Sequence, residues 1–276
     1  MAHDSTHNQP PRQSYPAWLA QVAPQLQGLK VGGHLVYRDV TVSTNDDVRG
    51  LAEAGAPDGL VVLADCQTHG RGRLGRRWVS PAGGSLLLST LLRYSAPVET
   101  ASHFTMIAGL ALLDAIATIN GLRGDLKWPN DVLISGRKVA GILAETQAAG
   151  SRLRYVVVGI GLNVDVDFAN DPDLAQVASS LSQEAGRPIE RGPLLVALVR
   201  SLSRRYAALV AGASPFDEWA ARLTTVGQEI EAEVGDCLIR GVADSVTPEG
   251  ALRVRMEDGS RRELLAGDVR LRGRAG

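Results

Sequence analysis

The sequence is poor in cysteine. Cys66 and Cys237 are its only two, they lie far apart, and neither has a CxxC partner. A disulfide framework and a cysteine-based zinc site are therefore both excluded. The five histidines are scattered, with none at ligand spacing to a cysteine, so no metal-ligating residue is predicted. No apolar run reaches about 18 residues, the length a membrane-spanning helix needs, and no membrane partner is expected. The N-terminal stretch MAHDSTHNQPPRQ lacks an apolar h-region and does not read as a secretory signal. Net charge is −1, which provides no global field for nucleic acid. There is no internal repeat. A reducing cytoplasm is the simplest setting for such a chain.

What the sequence does have is one dense cationic stretch. Gly70 to Trp78 reads GRGRLGRRW, with four arginines, three glycines and no acid. Glycine lets backbone approach a ligand closely, and arginine forks onto phosphate or carboxylate oxygens. Composition alone leaves a solvated basic turn open as well. In a chain of net charge −1, such local positive charge suits a small anion. The chain has 276 residues, 45% apolar and 21% charged, which fits one large globular unit and one small one.

Taken in order, residues 1–14 read as a polar tail, and Tyr15 to Leu29 as room for one short helix. We expect residues 1–30 to be a flexible extension. His34 to Val42 reads as a strand. Ser43-Thr44-Asn45 follows, with Asp46 and Asp47 suited to the first turn of a helix. Gly59 to Ala64 is a buried-type strand leading to Gln67. Ser85 to Leu92 is a continuous apolar strand. Ser102 to Ile119 carries apolar residues at helical spacing. A second motif, KWPND, spans Lys127 to Asp131. A third, GRKVAGILAE, spans Gly136 to Glu145, with a hairpin turn at Ser135-Gly136-Arg137. Tyr155 to Val164 reads as a strand whose Gly159 and Gly161 leave room above one face. Helices are predicted over Asp173–Gln183, Pro193–Val210 and Pro215–Leu223. From Thr225 the pattern changes to short strands: Glu229–Val234, Leu238–Val246, Ala251–Arg255 and Arg261–Leu265.

GRGRxGRxW, KWPND and GxKxAGILxE, in that order, resemble the biotin–protein ligase family, closely over residues 35–165. The resemblance implies an α+β fold: a mixed catalytic sheet flanked by helices over residues 31–224, and an SH3-like barrel over 225–274. It implies the type without an N-terminal DNA-binding domain, since thirty residues are few for a winged helix-turn-helix. The implied activity is ATP-dependent formation of biotinyl-5′-adenylate, then transfer of biotin to a lysine of a biotin carboxyl carrier domain. Biotin and ATP are then the substrates, with Mg2+, and no DNA is expected as a partner. A homodimer paired at sheet edges is compatible with this reading.

Carried over residue by residue, the resemblance assigns the reaction to Lys138, Arg71 and Arg73. Lys138 would bridge biotin carboxylate and α-phosphate. Biotin would contact Ser43, Thr44, Asn45 and Gln67, the loop residues Arg71, Gly72, Arg73 and Trp78, and Lys138 and Gly141. The nucleotide would contact Arg73, Arg76 and Trp78, the KWPND residues Lys127, Asn130 and Asp131, and Asn163. From chemistry alone, Ser43-Thr44-Asn45 is equally an N-cap, Trp78 a core residue and Lys127 a charge at a turn. Two other functions fit parts of the pattern: lipoate ligation or octanoyl transfer to a carrier lysine, and a biotin-sensing DNA-binding repressor. The complete set of three motifs argues against the first. The N-terminus and net charge argue against the second.

Overall fold

A computed structural model of the chain describes residues 15–169, 171–235, 237–265 and 267–271. Leu19, Val22 and Leu26 stand at helical spacing and are buried on one side of α1 (Ala17–Val22) and the 3-10 turn Ala23–Leu26 that continues it. They pack into the main core beside Leu195, Val199 and Leu202. The expected flexible extension is thus corrected from residue 15 onward. Residues 1–14 lie outside the described residues.

The large sheet forms from β1 (Leu35–Thr41), β2 (Val61–Gln67), β3 (Ser85–Leu92), β4 (Asp125–Lys127), β5 (Asp131–Ile134), β6 (Arg137–Ala149) and β7 (Arg152–Asn163). Its order is β1-β2-β3-β7-β6-β5-β4. Only β1 and β2 run parallel, so they need a crossover, and α2 (Thr44–Glu53) supplies it. The remaining neighbours are antiparallel. Ser135 and Gly136 both take positive φ, 51° and 79°, which makes the β5–β6 hairpin a primed turn.

Side chains alternate across a strand, and this sorts the core. Leu86, Leu88, Val156, Val158 and Ile160 face a helical layer in which α3 (Ser102–Ile116) packs on β5 to β7 and α6 (Arg191–Val210), beside it, reaches β3. Leu91 and Val157 face the opposite way, against Val48 and Ala52 of α2. Past the N-terminus of α2 this second face carries Ser89, Gly159 and Gly161. The predicted helix over Asp173–Gln183 is two short helices, α4 (Pro172–Val177) and α5 (Leu181–Ala185), separated by Ala178 to Ser180 in extended backbone. A last helix, α7 (Phe216–Ala220), precedes the small sheet.

The small sheet contains β8 (Glu229–Val234), β9 (Cys237–Val246), β10 (Leu252–Arg255), β11 (Arg261–Leu264) and β12 (Asp268–Leu271), in the order β11-β10-β9-β8-β12. Its last strand was not predicted. The mixed sheet, flanking helices and second antiparallel sheet make the α+β architecture expected from the sequence. Trp128 ties the two sheets together. It is 1% exposed, its backbone N–H donates to Thr225 Oγ1 (2.9 Å), and its indole N–H donates to the Gly250 carbonyl (2.8 Å). No described helix is long and apolar enough to cross a membrane.

Candidate active site

The register of the large sheet aligns the second and third motifs with the glycines of β7. Directly opposed residues share a face, and Lys127 opposes Asp131, Asp131 opposes Gly141, Gly141 opposes Gly161, and Gly161 opposes Leu87. The next row is Leu143, Gly159 and Ser89. Three glycines therefore form a shelf that starts under Asn45 at the N-terminal end of α2 and runs on beyond it. The chain's own side chains rest on it. A Cβ on Gly159 would lie 2.2 Å from Asn45 Oδ1, and one on Gly161 would lie 2.5 Å from the Trp78 indole. One on Gly141 would lie 3.0 Å from Trp78 and 3.2 Å from Lys138 Nζ.

A cavity of about 140 Å3 opens above this shelf. The β1–α2 junction brings Ser43, Thr44 and Asn45 to it, and the end of β2 brings Gln67. The arginine loop contributes Arg71, Gly72, Arg73, Arg76 and Trp78. Lys127, Asn130 and Asp131 enter from the β4–β5 corner, Lys138 and Gly141 from β6. Gly267 and Val269 of the small sheet close one side.

Asn163 is not brought to the cavity, and its assignment is corrected. It is 3% exposed. Its amide donates to Ser179 O (3.1 Å) and accepts from Ser85 Oγ (3.5 Å). The segment between α4 and α5, hydrogen-bonded to Lys138 through Ser179 N, covers it.

The polar end of the cavity is a hydrogen-bonded chain. Ser43 is extended at the start of α2 and its hydroxyl makes no cap. The Thr44 N–H donates to Gln67 Oε1 at 2.8 Å. Ser89 Oγ donates to Asn45 Oδ1 at 2.6 Å, which uses its one proton. Thr44 Oγ1, 2.7 Å away, is then the donor to Ser89, and Gln67 Oε1, at 3.1 Å, competes for the same proton. This order leaves acceptor lone pairs on Thr44 and an N–H pair on Gln67, a set that offers both roles to a ligand. Sequence reasoning missed Ser89. Its signal was the hydroxyl pair Ser89-Thr90 interrupting the leucines of β3.

The arginine loop is a small hairpin. Arg71 bridges Arg77, Gly72 N–H donates to Arg76 O (2.7 Å), and Trp78 N–H donates to Gly70 O (2.9 Å). Leu74, at φ 55°, makes the reversal. Arg71 lies in the bridged arm and Arg73 starts the 3-10 turn Arg73–Gly75, so the two diverge, where an extended loop would have pointed both one way. Arg71 forks onto Asp46 (2.8 and 3.1 Å), and Arg73 NH1 reaches Asn130 Oδ1 (3.4 Å). Lys138 Nζ is 2.6 Å from Asp131 Oδ1 and 5.6 Å from the Trp78 ring centroid. Trp78 Nε1 is buried without a hydrogen-bond partner. Among the described residues no group of three or more His, Cys, Asp or Glu could hold a metal ion.

A glycine shelf under an indole, a hydroxyl–amide chain at one end and cations at the other suit a ligand with an apolar middle, a polar head and an anionic tail. Residues 37–163 match the model of the biotin/lipoate A/B protein ligase family. The bifunctional ligase/repressor BirA of Bacillus subtilis is 36% identical over 250 residues, 88% of this chain and 77% of that protein. The biotin–[acetyl-CoA-carboxylase] ligase of Mycobacterium tuberculosis is 36% identical over 243 residues, 83% and 85% of the two chains. The structure of biotin protein ligase from Aquifex aeolicus in complex with biotin and ATP superposes with a TM-score of 0.71 at 28% identity, over 87% and 98% of the two chains. The chain belongs to the biotin–protein ligase family.

Proposed function

We propose that the cavity binds biotin and ATP side by side, joins them as biotinyl-5′-adenylate, and delivers biotin to a lysine of a biotin carboxyl carrier domain. In the first step a biotin carboxylate oxygen attacks the α-phosphorus. The new C–O–P link forms as the bond to pyrophosphate breaks. In the second, the carrier lysine amine attacks the acyl carbon and AMP leaves. The observation that carries the reading is Lys138, whose ammonium stands where the glycine shelf, Trp78 and the KWPND corner meet.

Each group has work that its position supports. Thr44 and Gln67 offer an acceptor and a donor to the ureido ring. Trp78 and the shelf enclose the apolar part. Lys138 neutralises charge between carboxylate and α-phosphate. Arg73, Asn130 and Lys127 belong to the nucleotide side. Here the protein positions and neutralises rather than forming covalent bonds. Mg2+ is typically held by one or two carboxylates together with substrate phosphates, and Asp131 is a carboxylate the cavity offers. Bound there, the ion would neutralise phosphate charge.

The carrier of acetyl-CoA carboxylase, in the cytoplasm, is the partner this reading expects, and no DNA is required. The test is mass spectrometry of a purified carrier domain after incubation with the protein, biotin, ATP and magnesium. One biotinyl adduct on one lysine is expected. A parallel incubation with lipoate separates the two ligase activities, and lipoyl adducts in place of biotinyl ones would overturn the reading.

A further inference from the structure

Glu145 ends the third motif and has no part in the mechanism above. It opposes Val157 on β7, two residue pairs beyond Leu143 and Gly159 along the strands and so on the same face. Its side chain is 32% exposed and serves three donors. Oε2 accepts from Asn45 Nδ2 at 2.7 Å, Arg49 NH2 at 3.1 Å and Arg71 NH2 at 3.3 Å, and Oε1 accepts from Arg71 NH2 at 3.4 Å. One carboxylate thus holds the amide that rests on Gly159 and a guanidinium of the arginine loop.

Both attachments matter to their elements. Asn45 is fixed from two ends, by Ser89 on its oxygen and by Glu145 on its nitrogen. The bond to Glu145 is charge-assisted and is the shorter of the two made by that nitrogen. In the loop, Leu74 and Val79 are 66% and 63% exposed and contribute little apolar anchoring. Trp78 anchors the loop on the shelf. Arg71 anchors it at the α2 end, on Asp46 and Glu145.

We propose that Glu145 is a positioning residue that couples the biotin pocket to closure of the arginine loop. It does so by sharing its carboxylate between Asn45 and Arg71. The inference rests on the ligase reading for what fills the pocket, while the loop contact stands without it. Coupling runs both ways: a filled pocket that holds Asn45 also holds Glu145 for Arg71, and a closed loop steadies Asn45. Arg49 of α2 is the internal control. It binds the same two acids, Asp46 at 3.3 Å and Glu145 at 3.1 Å, but lies outside the loop. Removing it leaves both acids to Arg71.

The loop reports on itself, because trypsin cuts after arginine and the loop holds four. In the ligand-free full-length protein, Glu145→Gln is expected to speed cleavage within Arg71–Trp78 about fivefold, equivalent to ~1 kcal/mol for a charge network of this exposure. The difference from wild type should shrink in roughly 0.5 M salt, which screens exposed charges. Biotin should protect the variant's loop less than it protects wild type. KM for biotin should rise while kcat at saturating biotin moves less than about twofold, the pattern of lost ground-state binding. Arg49→Gln should cut no faster than wild type, whereas general loosening would speed cleavage in both variants. An unchanged cleavage rate in Glu145→Gln, or equal acceleration in Arg49→Gln, overturns the proposal. Normal biotinylation by wild type alongside unchanged cleavage would sink only the coupling. A wild type that transfers no biotin would sink the ligase reading and leave the ligand-free cleavage arm informative.

Discussion

Lys138 holds its ammonium 5.6 Å from the centroid of the Trp78 ring. The cation therefore faces an aromatic surface as well as the Asp131 carboxylate, 2.6 Å away. It is not the lone cation that its place beside a turn suggests. Two residues 60 positions apart in the sequence are in contact because Gly161 and Gly141 let the indole lie flat on the sheet.

Lys138→Ala should slow adenylate formation by roughly a hundredfold, from losing about 3 kcal/mol of charge stabilisation made in the transition state. The side chain is 34% exposed, so the thermal midpoint should hardly move. Pyrophosphate release at the wild-type rate would remove Lys138 from the mechanism.

Gly161→Ala should lower biotin affinity by about tenfold, in the range that overpacking costs. The new methyl would meet the Trp78 indole at 2.5 Å and push it off the shelf. Calorimetric titration reads the loss. The same change made on a Trp78→Ala background should cost little more, because the clash has gone. Equal losses on both backgrounds would mean that the methyl acts elsewhere.

Arg73→Gly separates making the adenylate from holding it. Arg73 reaches Asn130 at 3.4 Å, on the nucleotide side, while Lys138 remains for the chemistry. The variant should still consume ATP with biotin, release the mixed anhydride and label exposed lysines of a bystander such as albumin. Blotting for biotin after mixing variant, carrier and albumin checks this. Label confined to the carrier would show that Arg73 does not retain the intermediate.

Leu19→Ala should destabilise the protein by about 2–5 kcal/mol, as expected for a fully buried leucine. Leu19 is 0% exposed within the main core, so deletion through residue 30 should lose folded protein rather than leave an active one. Urea unfolding measures the first effect and soluble yield the second. A wild-type midpoint for Leu19→Ala would return α1 to the status of an appendage.

The sequence made part of this site legible because its signals are local. The three motifs, the primed turn at Ser135-Gly136 and the alternate glycines each depend on neighbours in the chain, and each has its expected element. Other features depend on what folding brings near. Thr44 meets Ser89 because α2 crosses between parallel strands, and nothing within the β3 run names that partner. Asn163 has the right residue type and the right strand, but the segment between α4 and α5 covers it. Arg71 and Arg73 part because Arg73 already belongs to the turn, which is completed by Leu74, a leucine that takes positive φ without any residue preference announcing it. The short N-terminal helix was expected within Tyr15 to Leu29, but its burial was not, although Leu19, Val22 and Leu26 already stood at the spacing of one buried side.

The tie at Trp128 bears on how such proteins can be recombined. Its indole N–H needs the Gly250 carbonyl, and its backbone N–H needs the Thr225 hydroxyl. A chimera carrying the C-terminal sheet of a relative would have to present both acceptors at the same points. Otherwise a buried donor goes unmatched one residue from Lys127, at considerable cost. The boundary near Thr225 looks in sequence like a convenient splice point. Chemically it is a mortise cut for one tenon, and exchange across it is expected to succeed only between chains that share the joint.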